Sequence, residues 1–270
     1  MRPRSSDKGF TLVELLVAMA VGALVIVMLL SVLSGTMSLS RKTNETLLGA
    51  NAAAAALDLI GSDLESLAVT GKTNFEYLRL INEEVTNDAG HTISAAKVIL
   101  LTISANDVGS SASEAGQVRA VVYRLGYQDV VNPSGTNKIY GLYRSLETNA
   151  ATNFADYIGQ SDLSGTALFT DAPLLDDFLA GNIVDLRVRF YPAGASIPLN
   201  TNAVIRIGGG AVTVGGTVTN AATAEVSLTY LEEAGAQLLK NGTRNLDEVK
   251  KSHGYTLSRK VPIRTPVVTP

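Results

Sequence analysis

Glu14 is the single formal charge in an apolar run from Phe10 to Leu33. A carboxylate in such a run costs about 2.5–3.5 kcal/mol near the centre of a membrane helix, and less toward its end. An ionisable side chain in that setting reads as functional, with a partner to be named. Directly before the run stands Lys8-Gly9-Phe10. Gly9 lets a peptidase seat an extended backbone that carries no side chain. A cut between Gly9 and Phe10 would give Phe10 a free α-amino group at the depth of Glu14. That amine cannot neatly reach the carboxylate of its own helix, but it can reach the one on a neighbouring subunit. The chemistry implied is scission by an external enzyme, then charge pairing in a medium of low dielectric.

The element that positions these groups is the run itself. About 20 apolar residues suffice to cross a bilayer as a helix. Arg2, Arg4 and Lys8 precede it. By the positive-inside rule the leader stays cytoplasmic and the C-terminal bulk is exported. A secretory signal peptide would have a shorter apolar core and a small-x-small cleavage site. Ser31-Val-Leu-Ser34-Gly35 is a poor one. A plain signal anchor has no use for Glu14, and a buried core helix does not explain the basic flank.

Lys8-Gly9-Phe10-Thr11-Leu12-Val13-Glu14-Leu15-Leu16 resembles the prepilin leader motif of type IV pilins and type II secretion pseudopilins. The resemblance covers about 25 residues and is highly specific. It implies that an aspartic prepilin peptidase cuts after Gly9 and N-methylates Phe10. It also implies that Glu14 meets the N-terminal amine of an adjacent subunit during filament assembly. The partners it implies are that peptidase, other minor and major pseudopilins or pilins, an inner-membrane assembly platform and membrane lipid. The expected location is the inner (cytoplasmic) membrane, single-pass, with the N-terminus cytoplasmic and the C-terminal domain periplasmic or otherwise exported. The expected division is leader 1–9, transmembrane helix 10–33, amphipathic continuation 34–68 and exported β-rich domain 69–270.

Beyond the run, Leu47, Ala50, Ala54, Leu57, Ile60, Leu64 and Leu67 recur at steps of three or four, which draws one stripe on a helix. Asn44, Glu45, Asn51, Asp58, Asp63 and Glu65 fall mostly off it. Gly22, Ser34, Gly35 and Gly49 are points where the helix could bend, and Thr70-Gly71 is its expected end. A helix from Phe10 to Leu67 would measure on the order of 85 Å.

After residue 95, β-branched and aromatic runs alternate with Gly, Asn, Asp and Pro. The expected strands are Lys97–Ile103, Val118–Tyr127, Ile139–Arg144, Ile183–Tyr191, Val204–Ile207, Val212–Val218, Ala224–Leu231 and Tyr255–Ile263. Val184-Asp-Leu186-Arg-Val188-Arg-Phe190 alternates strictly, so one face is buried and the other wet. The expected fold class is α+β and pilin-like: a long N-terminal helix, transmembrane and then amphipathic, packed on an antiparallel β-sheet. The order of pieces also resembles the larger minor subunits of the general secretion protein J and pilus assembly protein W kind. That likeness rests on Leu142-Tyr-Arg144, Gly181-Asn-Ile183-Val-Asp-Leu186-Arg-Val188-Arg-Phe190-Tyr191 and Val226-Ser-Leu228-Thr-Tyr230, with Asp63 and Leu64 near the helix end. The Gly-rich stretch Gly208–Gly216 has no place in it.

Other chemistry finds little support. The 270 residues include no Cys, so disulfides, thiolate metal sites and a Cys nucleophile are excluded. A net charge of −3 argues against nucleic acid as a partner. Gly208-Gly-Gly210 and Gly215-Gly216 lack the Gly-Lys-Ser/Thr of a phosphate loop and read as a hairpin or loop. His91 and His253 are isolated and read as surface residues. Asp171, Asp176 and Asp177 match no cation loop, and Pro173 marks a turn there. Lys250-Lys-Ser-His253 reads as a solvated face, and Arg264–Pro270 as a tail. No metal, cofactor or catalytic site is expected, and an enzyme is disfavoured. The expected function is that of a minor pseudopilin or prepilin which primes or caps a type II secretion pseudopilus or a type IV pilus. The alternative is a pilus-tip binding module that recognises secreted cargo, DNA or a surface.

Overall fold

Ala, Leu, Val and Met dominate the first sixty residues, and all but Val are strong helix formers. They form helix α1, Leu12–Glu65. The computed structural model describes residues 11–67, 76–102, 119–132, 135–146, 178–192, 194, 198, 205–208, 211–214, 217–219 and 222–263. The chain divides into two units, Met1–Leu47 and Leu48–Pro270. As assigned, α1 includes Gly22, Ser34, Gly35 and Gly49.

In the second unit α1 buries Ala53, Ala56, Leu57, Ile60, Gly61, Asp63 and Leu64. The stripe therefore differs from the one expected. Ala54 is exposed and Ala53 takes its place, and Leu47 lies exposed in the first unit. Asp63, expected off the stripe, has no exposed surface at all. Small residues at 53, 56 and 61 let neighbouring elements come close to the helix backbone. The helix also stops short of Thr70-Gly71, which lie outside the described residues. Ser66 turns its hydroxyl to Ser62 O at 2.7 Å and shares a hydrogen bond with Thr102 Oγ1 at 2.7 Å. Leu67 then forms an antiparallel bridge with Thr102, so pairing with a strand replaces the next helical turn.

Eleven strands and two short helices follow among the described residues. In chain order they are β1 (Leu78–Thr86), β2 (Thr92–Thr102), β3 (Arg119–Gln128), β4 (Ile139–Leu146), β5 (Phe178–Gly181), β6 (Ile183–Tyr191), β7 (Ile205–Gly208), β8 (Ala211–Val214), β9 (Thr217–Thr219), β10 (Thr223–Leu231), α2 (Glu233–Lys240), α3 (Leu246–His253) and β11 (Gly254–Pro262). The sequence pattern implied one sheet; the described strands make two, both antiparallel. The larger has the order β5-β4-β3-β2-β1-β7-β8-β9, and the smaller has β11-β10-β6. The expected strand Val212–Val218 is two strands, paired from Val214↔Thr217. The strands β1 and β5 and the helices α2 and α3 were not expected. The fold is α+β: an apolar N-terminal helix with antiparallel sheets.

One apolar core joins all three layers. Leu57, Ile60 and Leu64 of α1 meet Leu78, Leu100 and Val121 of the large sheet and Val188, Phe190 and Leu228 of the small one. Val184, Leu186, Val188 and Phe190 alternate inward as expected, while Arg187 is exposed. Asp185, on the outward row, is nonetheless buried between two cations, Arg187 at 2.9 Å and Lys250 at 3.3 Å. Lys250 is thereby more than a solvated residue. His91 and His253, read as surface residues, are half-buried.

Two polar clasps hold the last turns of α1. Asp63 Oδ2 accepts hydrogen bonds from the Tyr123 hydroxyl and from Arg144 Nε and Nη2, at 3.2 and 3.0 Å. Burial, reinforced by the Asp63 carboxylate, pushes the Tyr123 phenol far above its ordinary value, so it remains a donor. The second clasp faces β11. Arg259 reaches Asp58 Oδ1 at 2.9 Å and Glu65 Oε1 at 3.1 Å. Its guanidinium lies over Gly61, where a Cβ would stand 3.0 Å from Cζ and Nε.

Removing one partner of a buried pair leaves a stranded charge. Arg144→Met is therefore expected to lower stability by about 3–5 kcal/mol. The triple variant Asp63→Leu, Tyr123→Phe, Arg144→Met removes all three of these polar side chains and should recover most of that loss. Denaturant melts of the three proteins check it, and equal loss in both variants would show that the cluster carries no stranded charge.

Candidate assembly site at the start of the helix

Thr11 is the residue before α1, and its carbonyl already accepts the first helical bond, from Leu15 N at 3.2 Å. That is an N-cap position. Its hydroxyl accepts from Glu14 N at 3.2 Å. In return Glu14 Oε2 accepts from Thr11 N at 3.0 Å and from the Thr11 hydroxyl at 3.1 Å. Thr11-Leu-Val-Glu14 is thus a reciprocal capping box, which satisfies two backbone donors that the helix start leaves orphaned. A carboxylate in the first turn also faces the positive end of the helix dipole.

This arrangement sharpens the expectation about Glu14. Its carboxylate turns back along its own chain as far as Thr11 N. Gly9 and Phe10 lie outside the described residues. Thr11 was not singled out from sequence, although Thr-x-x-Glu ahead of an apolar run is the signal for it.

Behind the cap, every residue from Thr11 to Glu45 is exposed. Large apolar side chains such as Leu12, Val13, Leu16, Val27 and Leu30 have more than half their surface free. This part of α1 is long and apolar enough to cross a membrane. Where the apolar run ends, hydroxyls bond back to helix carbonyls: Thr36 to Leu33 O at 2.8 Å and Ser38 to Gly35 O at 2.9 Å. Such bonds satisfy these hydroxyl donors within the helix itself.

The other sequence candidates do not assemble into a second site. Asp171, Asp176, Asp177 and Arg264–Pro270 lie outside the described residues. Gly208 and Ala211 pair across the β7–β8 hairpin. Among the described residues, no three of His, Asp and Glu come together as a metal site.

A family model for the prokaryotic N-terminal methylation motif matches residues 4–30. The chain thus carries the type IV pilin signal at its N-terminus, which implies processing by prepilin peptidase and assembly with other pilins. No curated protein matches the chain. Among solved structures, a type IV-like pilin from Thermus thermophilus is 12% identical, covering 84% of this chain and 97% of its own, with a TM-score of 0.30.

Removing the cap hydroxyl should loosen the first turn. Thr11→Val in detergent micelles is expected to speed hydrogen exchange at the Glu14 amide about fivefold, from a capping loss of about 1 kcal/mol. An unchanged rate would mean that this amide has another acceptor.

Proposed function

We propose that this chain is a minor structural subunit of a type II secretion pseudopilus or type IV pilus, which primes or caps the filament. The observation that supports it most is Glu14: a carboxylate in the first turn of an exposed apolar helix, inside the methylation motif. In this reading residues 1–9 are a leader, 10–33 cross the inner membrane once, 34–68 continue the helix and 69–270 form the exported domain. The leader faces the cytoplasm. Prepilin peptidase cuts between Gly9 and Phe10 and methylates the new amine. The chain works with other minor and major subunits and an assembly platform, and it carries out no reaction of its own. The finer kinship with general secretion protein J and pilus assembly protein W draws on Leu142-Tyr-Arg144, Ile183–Tyr191 and Val226–Tyr230, which lie on β4, β6 and β10.

The mechanism is an exchange of partners at Glu14. Before assembly the carboxylate caps its own helix. In a filament, the Phe10 amine of a neighbour offers a full positive charge in a medium where an uncompensated charge is costly. The cap bonds pair the carboxylate only with neutral donors, whereas the amine brings an opposite full charge whose attraction is strong at low dielectric, so meeting a neighbour favours release of the cap.

The mature protein from its native host is expected to begin at N-methylated Phe10, as N-terminal sequencing and intact mass will show. Gly9→Val should leave the uncut precursor in the membrane. A mature start beyond residue 30 would overturn the proposal.

Two substitutions then separate charge from capping. Glu14→Ala loses both, whereas Glu14→Gln keeps an amide oxygen that can cap. Both should be cleaved after Gly9, both should leave the melting temperature of the second unit unchanged, and both should co-purify poorly with partner subunits. Full recovery with Gln would assign Glu14 to the helix cap alone.

A further inference from the structure

β11 ends the small sheet on the side opposite β6. Its pairing with β10 fixes where its backbone groups point. Glu232 N donates to His253 O at 3.0 Å just before β11, and Ile263 N donates to Ala222 O at 2.9 Å just after it. Both bonds continue the β10–β11 register, in which Leu228 faces Leu257. Bonded residues alternate along an antiparallel pair. Tyr255, Leu257, Arg259 and Val261 therefore turn N–H and C=O toward β10, and Thr256, Ser258 and Lys260 turn theirs away. The Gly254 N–H is held by Lys250 O, and Pro262 has none. The open row thus runs from Thr256 to Lys260.

Among the described residues no strand pairs with this side of β11. Thr256, Ser258 and Lys260 are exposed. Charged side chains on an edge usually guard it against pairing. Here they lean inward. Lys260 Nζ lies 4.8 Å from the centre of the Tyr191 ring, two strands away on β6. Arg259 is held by Asp58 and Glu65 of α1. Tyr255 stacks on Tyr230 of β10 with ring centres 5.4 Å apart, and its hydroxyl donates to Glu232 at 2.7 Å. The Thr256 hydroxyl shares a hydrogen bond with that of Thr229 on β10 at 2.8 Å. The row therefore stands unguarded as far as Pro262.

We propose that β11 receives an extended, uncharged segment of a partner protein, which adds one strand to the small sheet. Backbone pairing would supply affinity, and alternate side chains would supply specificity. Residues two apart on the incoming strand share a face. Those opposite Leu257 and Arg259 would stand on the helix side of the sheet. There Asp58 and Glu65 repel an acidic side chain, and Arg259 repels a basic one set directly across from it. A β-branched apolar side chain meets Leu257 and the stem of Arg259 without either cost. On the other face the neighbours are Thr256 and Ser258, with Thr229 and Ser227 behind them, which suit hydroxyls. Lys260 on that face already stands across from Glu225.

Two copies of β11 could pair with each other in antiparallel fashion only about a two-fold axis through the sheet. The α1 segments that pack on those sheets would then run in opposite directions. Chains anchored in one membrane share a direction, so the incoming strand is not β11 of a second copy. That step alone draws on the proposed function; the open edge does not depend on it.

The test uses the full chain, isotope-labelled, in detergent micelles. The probe is acetylated, amidated Thr-Val-Thr-Val-Thr with N-methyl groups on both valines, which blocks the peptide's far edge and keeps the donors that face β11. It is expected to shift the amide resonances of residues 256–260 and to slow exchange at 256, 258 and 260. Moving the N-methyl groups to the third and fifth residues removes two of those donors, which corresponds to about tenfold in affinity. Replacing both valines by aspartate, or both by lysine, should cost about fivefold. Ser258→Pro removes an N–H that β10 does not use, so binding should fall about tenfold with the melting temperature unchanged. Equal binding of the two methylated peptides, tighter binding of either charged one, or shifts confined to other strands would overturn the proposal. So would amides at 256, 258 and 260 already as protected as those at 257 and 259 before any peptide is added. Protection there that rises with protein concentration alone would assign the edge to a second copy and overturn it as well.

Discussion

Asp63 has no exposed surface, yet it lies on a helix that must pack against two sheets. Its carboxylate is tolerated because Tyr123 of β3 and Arg144 of β4 converge on it. A buried ion pair contributes little net stability over an apolar one of the same shape. What it adds is direction. Leu57, Ile60 and Leu64 could pack on a sheet in more than one register, because apolar contacts are not oriented. Three hydrogen bonds on one oxygen are oriented, and they fix which turn of α1 faces which strand. Arg259 does the same from the small sheet, bridging Asp58 and Glu65 across Gly61. The helix end is thereby tied to both sheets.

The start of the helix poses a different problem. Along Thr11–Glu45 no side chain is covered by protein, so stability there comes from the backbone and from the solvent outside it. In lipid an unpaired N–H costs several kcal/mol. Thr11 and Glu14 answer for two of these groups within the chain itself. A carboxylate at this position thus has a function within its own chain. That function lowers the cost of placing a charge in an apolar segment, because the group is already hydrogen-bonded. In the proposed assembly role, an exchangeable cap would serve better than a bare charge, because Glu14 is satisfied within its own chain until a partner arrives.

Much of this was legible in the sequence. The apolar run with Glu14 came from composition alone, and Ile183–Tyr191 came from strict alternation, residue for residue. Elements failed to show where a stronger local signal pointed elsewhere. β1 carries Asn82-Glu83-Glu84 at its centre, a poor strand sequence, and it forms because β2 pairs along its whole length, while β7 adds pairing at Leu78–Leu80 on the other side. The helical stripe was misplaced by one residue because Ala53, Ala56 and Gly61 carry no large apolar signal and are buried by close approach. Asp63 looked like a surface residue because its partners lie 60 and 81 positions away in sequence. The short helices were recoverable in principle. Asn245-Leu-Asp-Glu248 has the spacing of a helix start, and Asn245 Oδ1 accepts from Glu248 N at 2.9 Å.

The division into two sheets turns on a single residue. β5 ends at Gly181 in the large sheet and β6 begins at Ile183 in the small one. Between them Asn182 has φ of 57°, in the left-handed region. Asn tolerates that conformation better than other side chains do. Its carbonyl accepts from Leu231 N at 2.8 Å, and its amide donates to Glu233 Oε2 at 3.2 Å, so the corner is pinned to the end of β10 and the start of α2. Without that reversal β6 would continue beside β4, the large sheet would gain another strand, and α1 would lose its second cover. Because the chain turns there, β6 reaches β10 from one side only. On its other side it runs close to β2, β3 and β4, so the corner that encloses the helix also brings the two sheets together.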